Sequence, residues 1–137
     1  MSAQEHRIRV DTRDARRVWG DPNGVPEGSD FDLVAELTLN GVSDSAALGG
    51  GTFVLSLRDS TDSSASLILT DEATDSTLMG TAALGFGVRC RWQITDTQSN
   101  AWASDSTIVF HGDIRGTESG GAVHYWPAGL VVRPVLD

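Results

Sequence analysis

The side chains able to do chemistry in this chain are few, and their spacing gathers almost none of them. His6, His111 and His124 are the imidazoles and Cys90 is the one thiol. His111 and Asp113 stand two apart, so on a strand both point to one face, and such a pair can supply part of a metal site. Two ligands are too few unless His124 joins them, so a structural or surface role is expected for all three. The acids Asp59, Asp62, Asp71, Glu72 and Asp75 crowd one stretch beside Arg58 but lack the alternating ligand ladder of a calcium loop. They read as a solvated acidic edge, which also guards strands against unwanted pairing. Serine is abundant without a Gly-x-Ser-x-Gly elbow, and "GGGT" lacks the lysine and spacing of a phosphate loop. Glycoside hydrolysis needs two carboxylates about 5–9 Å apart. Glu36 lies on a predicted strand with an exposed-looking face and no partner in sequence. The expectation is a protein that is not an enzyme, with no catalytic residue, no cofactor and no metal.

Composition bounds the remaining classes. The chain has 137 residues, the size of one domain, and 39% hydrophobic residues, enough for a core without disulfides. A single cysteine forbids an internal disulfide, and its phase among Phe86, Val88, Trp92 and Ile94 marks it as a buried small hydrophobe. No apolar stretch approaches the roughly 20 residues of a membrane helix. The opening "MSAQEHRIRVDTRDARR" has no signal-peptide core, so neither membrane nor secretion is expected. Lysine is absent and the formal net charge is −9. Residues 1–20 carry five Arg against three acids, and the rest carries five Arg against 16 acids. An acidic body repels phosphates, which argues against nucleic acid as a partner.

The elements that must position these residues are strands. "FGVRCRWQI" (86–94) alternates apolar Phe86, Val88, Cys90, Trp92 and Ile94 with polar neighbours, the pattern of a half-buried antiparallel strand. The same period of two runs through "DFDLVAELTLN" (30–40), "GTFVLSLRD" (51–59), "ASLILTD" (65–71) and "STIVFHGDI" (106–114). "AVHYW" (122–126) and "GLVVRP" (129–134) supply one or two more strands, and "HRIRVD" (6–11) is a further short candidate. Turns fall at "DPNG" (21–24), "VPEG" (25–28), "LGGGT" (48–52), "DTQSN" (96–100) and "GTESGG" (116–121). A helix at 72–84 has no clean apolar phase, which leaves room for a short turn only. The predicted fold is an all-β antiparallel β-sandwich, immunoglobulin-like, of about seven strands, with a small barrel as the alternative. An extended N-terminal arm (1–28) precedes a sandwich domain (29–137). Trp92, mid-strand, is expected to anchor the space between the sheets.

Trp19, Trp102, Tyr125 and Trp126 fall near strand ends or loops, where exposed aromatics serve as interface anchors. Arg13, Arg16 and Arg17 precede Trp19 in "DARRVWGDP" and suit bidentate pairing with acids. These seven are the candidate partner-binding residues.

Two stretches, "VPEGSDFDLVAELTLNG" (25–41) and "RWQITDTQSNAWASDSTIVFHGDIR" (91–115), resemble the small immunoglobulin-like domains of tailed-bacteriophage virion proteins of the baseplate, tail-fibre-attachment or head-decoration type. Gly28, Phe31 and Leu33 match the lead into the first strand, and Trp92, Ile94, Gly112 and Ile114 match the late pair. The resemblance implies a repeated structural subunit of the virion, made in the host cytoplasm. It would dock on the tail, baseplate, neck or head surface against other virion subunits and itself as a homo-oligomer. The arm would lie along a neighbour through Arg13, Arg16, Arg17 and Trp19. A glycan-binding module using Trp102, Tyr125 and Trp126 is the alternative.

Overall fold

The computed structural model describes residues 4–20, 23–39, 51–59, 67–81, 85–102, 106–118 and 120–135, with backbone alone for residues 75, 77–81, 85 and 86. Asp62, part of the 48–52 turn, residues 82–84 of the 72–84 stretch and the side chain of Phe86 lie outside the described residues. In chain order the elements are β1 (Gln4–Asp11), β2 (Arg17–Trp19), β3 (Val25–Pro26), β4 (Phe31–Thr38), β5 (Thr52–Arg58), β6 (Leu67–Glu72), β7 (Asp75–Thr81), β8 (Gly85–Ile94), α1 (Asp96–Asn100), β9 (Ile108–Thr117) and β10 (Val123–Arg133).

They form a β-sandwich. Sheet one has the order β1-β4-β8-β7, and sheet two has the order β2-β10-β9-β5-β6 with β3 also paired to β10. The inward rows are those the alternation predicts. Phe31, Leu33, Ala35 and Leu37 of β4 face Ile94, Trp92, Cys90 and Val88 of β8 across the ladder, and all eight are buried. Phe53, Leu55 and Leu57 of β5 and Phe110 and Ile114 of β9 close the core from sheet two. Cys90 is a buried free thiol, as its phase implies.

Three tryptophans join the two layers, and each satisfies its indole N–H on the opposite sheet. Trp92 of β8 donates to the Asp71 carbonyl of β6 at 3.0 Å. Trp19 of β2 donates to the Val34 carbonyl of β4 at 2.9 Å, and Trp126 of β10 donates to the Thr38 carbonyl at 2.8 Å. A buried indole without an acceptor would forfeit much of the gain from its large apolar area, so each placement is fixed by a ring and a hydrogen bond together. Trp19 and Trp92 meet edge to face, with centroids 6.0 Å apart. Gly116 on β9 leaves the notch for Trp126: a Cβ there would stand 2.6 Å from its Cζ3.

The N-terminal region departs from expectation. Residues 4–20 and 23–26 form no free arm. β1 lies parallel to β4 as an edge strand of sheet one, and β2 and β3 lie parallel to β10 in sheet two. The chain changes sheets at a turn built on Asp11, whose carboxylate accepts from the Arg13 backbone N–H at 3.0 Å and from the Thr38 hydroxyl at 2.8 Å. The count of strands rises from seven to ten among the described residues, and pairing is mixed rather than wholly antiparallel. Residues 75–81 are strand rather than helix. The one helix among the described residues is the single turn at 96–100, with Thr95 and Gln98 forming a capping box.

Candidate interaction surface

Period two sends every second residue of sheet one outward, and on β1, β4 and β8 most of those residues are charged, with both signs present. β1 contributes Glu5, Arg7 and Arg9, β4 contributes Asp32, Val34 and Glu36, and β8 contributes Arg89 and Arg91. Register sets Arg9, Glu36 and Arg89 in one row and Arg7, Val34 and Arg91 in the next. Glu36 receives Arg9 Nε at 2.8 Å and Arg89 Nη2 at 2.9 Å. Arg91 forks between Asp32 at 2.6 Å and Glu5 at 3.0 Å, and Arg7 also reaches Glu5 at 3.2 Å. Val34 is fully buried although its side faces outward, in the row between Arg7 and Arg91.

Glu36 is therefore neither exposed nor alone; only 4% of it is accessible. Burial pushes its carboxyl up, and the hydrogen bonds and charges of Arg9 and Arg89 together more than offset this, leaving it below the usual carboxylate value. The hydrogen bond from Arg7 is the main cause that lowers Glu5. The arrangement is a lattice of ion pairs whose groups neutralise one another.

The seven sequence-predicted residues separate into two sets. Trp19, Trp102 and Trp126 are buried, at 1%, 7% and 0% accessibility, so none anchors a partner. Trp102 packs edge to face on Phe110, with centroids 5.6 Å apart. With two of its three rings inside the core, the glycan platform of Trp102, Tyr125 and Trp126 is not assembled. Tyr125 is 56% exposed, on the outer face of sheet two opposite Arg115, with Val109 and Val123 also exposed on that sheet. Arg13, Arg16 and Arg17 are exposed around the turn between β1 and β2. Arg13 pairs with Asp11 at 3.0 Å, and Arg17 approaches Asp14 at 3.7 Å.

The histidines do not converge. His111 and Asp113 share the outer face of sheet two, while His124 is in phase with Trp126 on the inner side. His124 lies 2.7 Å from Glu118, spanning the β9–β10 hairpin. Among the described residues no cluster of three His, Cys, Asp or Glu is placed to hold a metal ion. His6 packs its ring edge-on against Phe31, and burial lowers its pKa. It lines an open cleft of about 450 Å³ between β1 and Val18, Gly20, Asn23 and Gly24. Sequence reasoning missed the lattice because it depends on the register of strands whose paired side chains lie 27 to 86 residues apart. The signal was present as acids in β4 and arginines in β8 at matching alternate positions.

No protein-family model matches the chain, and no curated protein matches it. Among solved structures it is similar to the N-terminal domain of phage TP901-1 ORF48, at 15% identity and a TM-score of 0.47, over 97% of this chain and 99% of that one.

Proposed function

We propose that the chain is a non-enzymatic structural protein of a tailed-phage virion, docking as a repeated subunit on the tail, baseplate, neck or head surface. The observation that carries this reading is the pairing of the two stretches that resemble such proteins. Phe31 lies opposite Ile94 and Leu33 opposite Trp92, so four of the matching positions form the centre of sheet one, while Gly112 and Ile114 lie on β9 of sheet two. The strand order supports the immunoglobulin-like part of the reading. With β1, β4, β5, β6, β7, β8, β9 and β10 taken as A, B, C, C′, D, E, F and G, the sheets run A-B-E-D and G-F-C-C′. The parallel pairing of β1 with β4 is a local variation on that plan.

Docking in this reading is by shape and charge. Arg13, Arg16 and Arg17 face acidic groups of a neighbouring virion subunit, and Tyr125 supplies a rigid amphipathic contact on the other sheet. Trp19, Trp102 and Trp126 serve this function only by holding the sandwich together. The test is mass spectrometry of purified, banded phage particles from the host that carries the gene. The expected result is the chain present in many copies per particle, and absence from intact particles overturns the reading.

A further inference from the structure

We propose that β1 is a self-association edge, through which two copies of the chain pair antiparallel into one continuous eight-stranded sheet. β1 ends sheet one and pairs only with β4 among the described residues, leaving residues 4–10 without a strand partner along its other side, while the Asp11 backbone is taken up by Asp14. The corresponding edge of sheet two is blunted, since β2 has three residues and β3 has two. A long unpaired edge invites another strand unless its side chains forbid it, and among the registers that pair more than five residues those of β1 permit one.

A two-fold axis normal to the sheet must oppose outward residues to outward residues, so it passes through a residue and not between two. Centred on Ile8, it sets Arg7 against Arg9 and Glu5 against Asp11 of the second copy, and like charges directly opposed are destabilising. Centred on His6, it pairs only residues 4–8. Centred on Arg7, it pairs residues 4–10 and places Glu5 against Arg9 of the second copy twice over. The central Arg7 pair is compensated within each copy, because Arg7 donates to its own Glu5 at 3.2 Å. Arg9 is 67% exposed and free to share a second carboxylate across this seam.

The inner side of the edge fits the same occupant. The register sets His6 against Ile8 of the second copy, beside the open cleft that β1 shares with Val18, Gly20, Asn23 and Gly24. His6 Nε2 is buried there without a hydrogen-bond partner, and Ile8 is only partly buried against the core. An added strand covers both. The contact is isologous and closes at two copies, consuming the edge. It does not rest on the virion reading, since it follows from β1 alone.

The test combines mass with a cross-link. Light scattering of the parent at tens of micromolar is expected to give twice the 14.6 kDa of one chain. Directly opposed residues have Cβ atoms about 4.5–5.5 Å apart, close to the span a disulfide needs. Arg7→Cys treated with oxidised glutathione is therefore expected to form a covalent dimer on a non-reducing gel at least ten times faster than Asn100→Cys, an exposed control on α1. Cys90 is buried and does not compete. A monomer whose Arg7→Cys variant cross-links no faster than the control overturns the proposal. A dimer in which Arg7→Cys fails to cross-link also overturns it, since the interface then lies elsewhere.

Discussion

The three buried tryptophans each do two things that a single substitution can separate. Trp19→Phe keeps most of the buried ring and removes the donor to the Val34 carbonyl. The Val34 carbonyl lies mid-ladder between β1 and β8 and keeps its strand partner, so the loss is that of one buried hydrogen bond, about 0.5–1.5 kcal/mol, and the urea midpoint should fall accordingly with an unchanged slope. Trp92→Ala removes the ring as well and should cost roughly 3–5 kcal/mol, a large part of the stability of a small domain. Glu36 sets an acid limit. Its folded pKa lies below the ordinary 4.5, so the folded state holds its proton less tightly than the unfolded chain. Its contribution is complete above 4.5 and is lost as the pH falls through the folded value. His6, lowered from 6.5 by burial, acts in the same direction at higher pH, since the unfolded chain takes up that proton first. Through these two groups urea unfolding of the parent should weaken in two stages, below about 6.5 and again below 4.5, the second deepened by Glu5 and opposed by Asp71 and Asp113, which burial raises. Glu36→Gln should flatten the second stage while costing about 1.5–3 kcal/mol at neutral pH through the lost charge-assisted hydrogen bonds.

At the scale of elements, legibility followed burial. β4, β5, β8 and β9 have one face in the core, so their apolar residues recur at period two and their positions were readable. Phe31, Leu33, Leu55, Cys90, Trp92 and Ile114 are buried as the pattern requires. β2 and β3 are too short to show a period, and their conformation comes from pairing with β10, which lies more than 100 residues along the chain. Trp19 looked like a surface residue because its neighbours are arginines; its burial depends on β10 and β4, which no local window contains. The helix at 96–100 was readable in the Thr95–Gln98 spacing and was passed over as a turn because a single helical turn carries no apolar stripe. Gly116 belongs to this scale because it fits one strand to the rings of two others, Trp126 on β10 and Phe53 on β5. Gly116→Ala crowds both rings and should cost about 1–3 kcal/mol as overpacking, seen as a lowered melting temperature with little change in secondary structure.

For the whole molecule, the decisive fact is that the N-terminal segment serves both layers. β1 closes the edge of sheet one, the Asp11 turn carries the chain across, and β2 closes the edge of sheet two with Trp19 inserted between them. An arm that docked only on a neighbour could be deleted without harm to the fold. This segment cannot, because removing residues 1–19 takes away the Trp19 ring and its bond to β4, the buried Val10 and Arg9, one of the two partners of Glu36. Loss of the Trp19 side chain alone is worth roughly 3–5 kcal/mol, against about 5–15 kcal/mol for the total stability of a small domain. The truncated chain is expected to lose its near-ultraviolet dichroism and cooperative urea transition, both of which Arg13→Ala, Arg16→Ala and Arg17→Ala together should leave intact. Cooperative unfolding of the truncated chain within 1 M urea of the parent midpoint would show that β1 and β2 are dispensable to the sandwich. The basic turn can act as a docking surface only because the strands on either side hold it in place, so its contacts are tested by changing charges and not by cutting the chain.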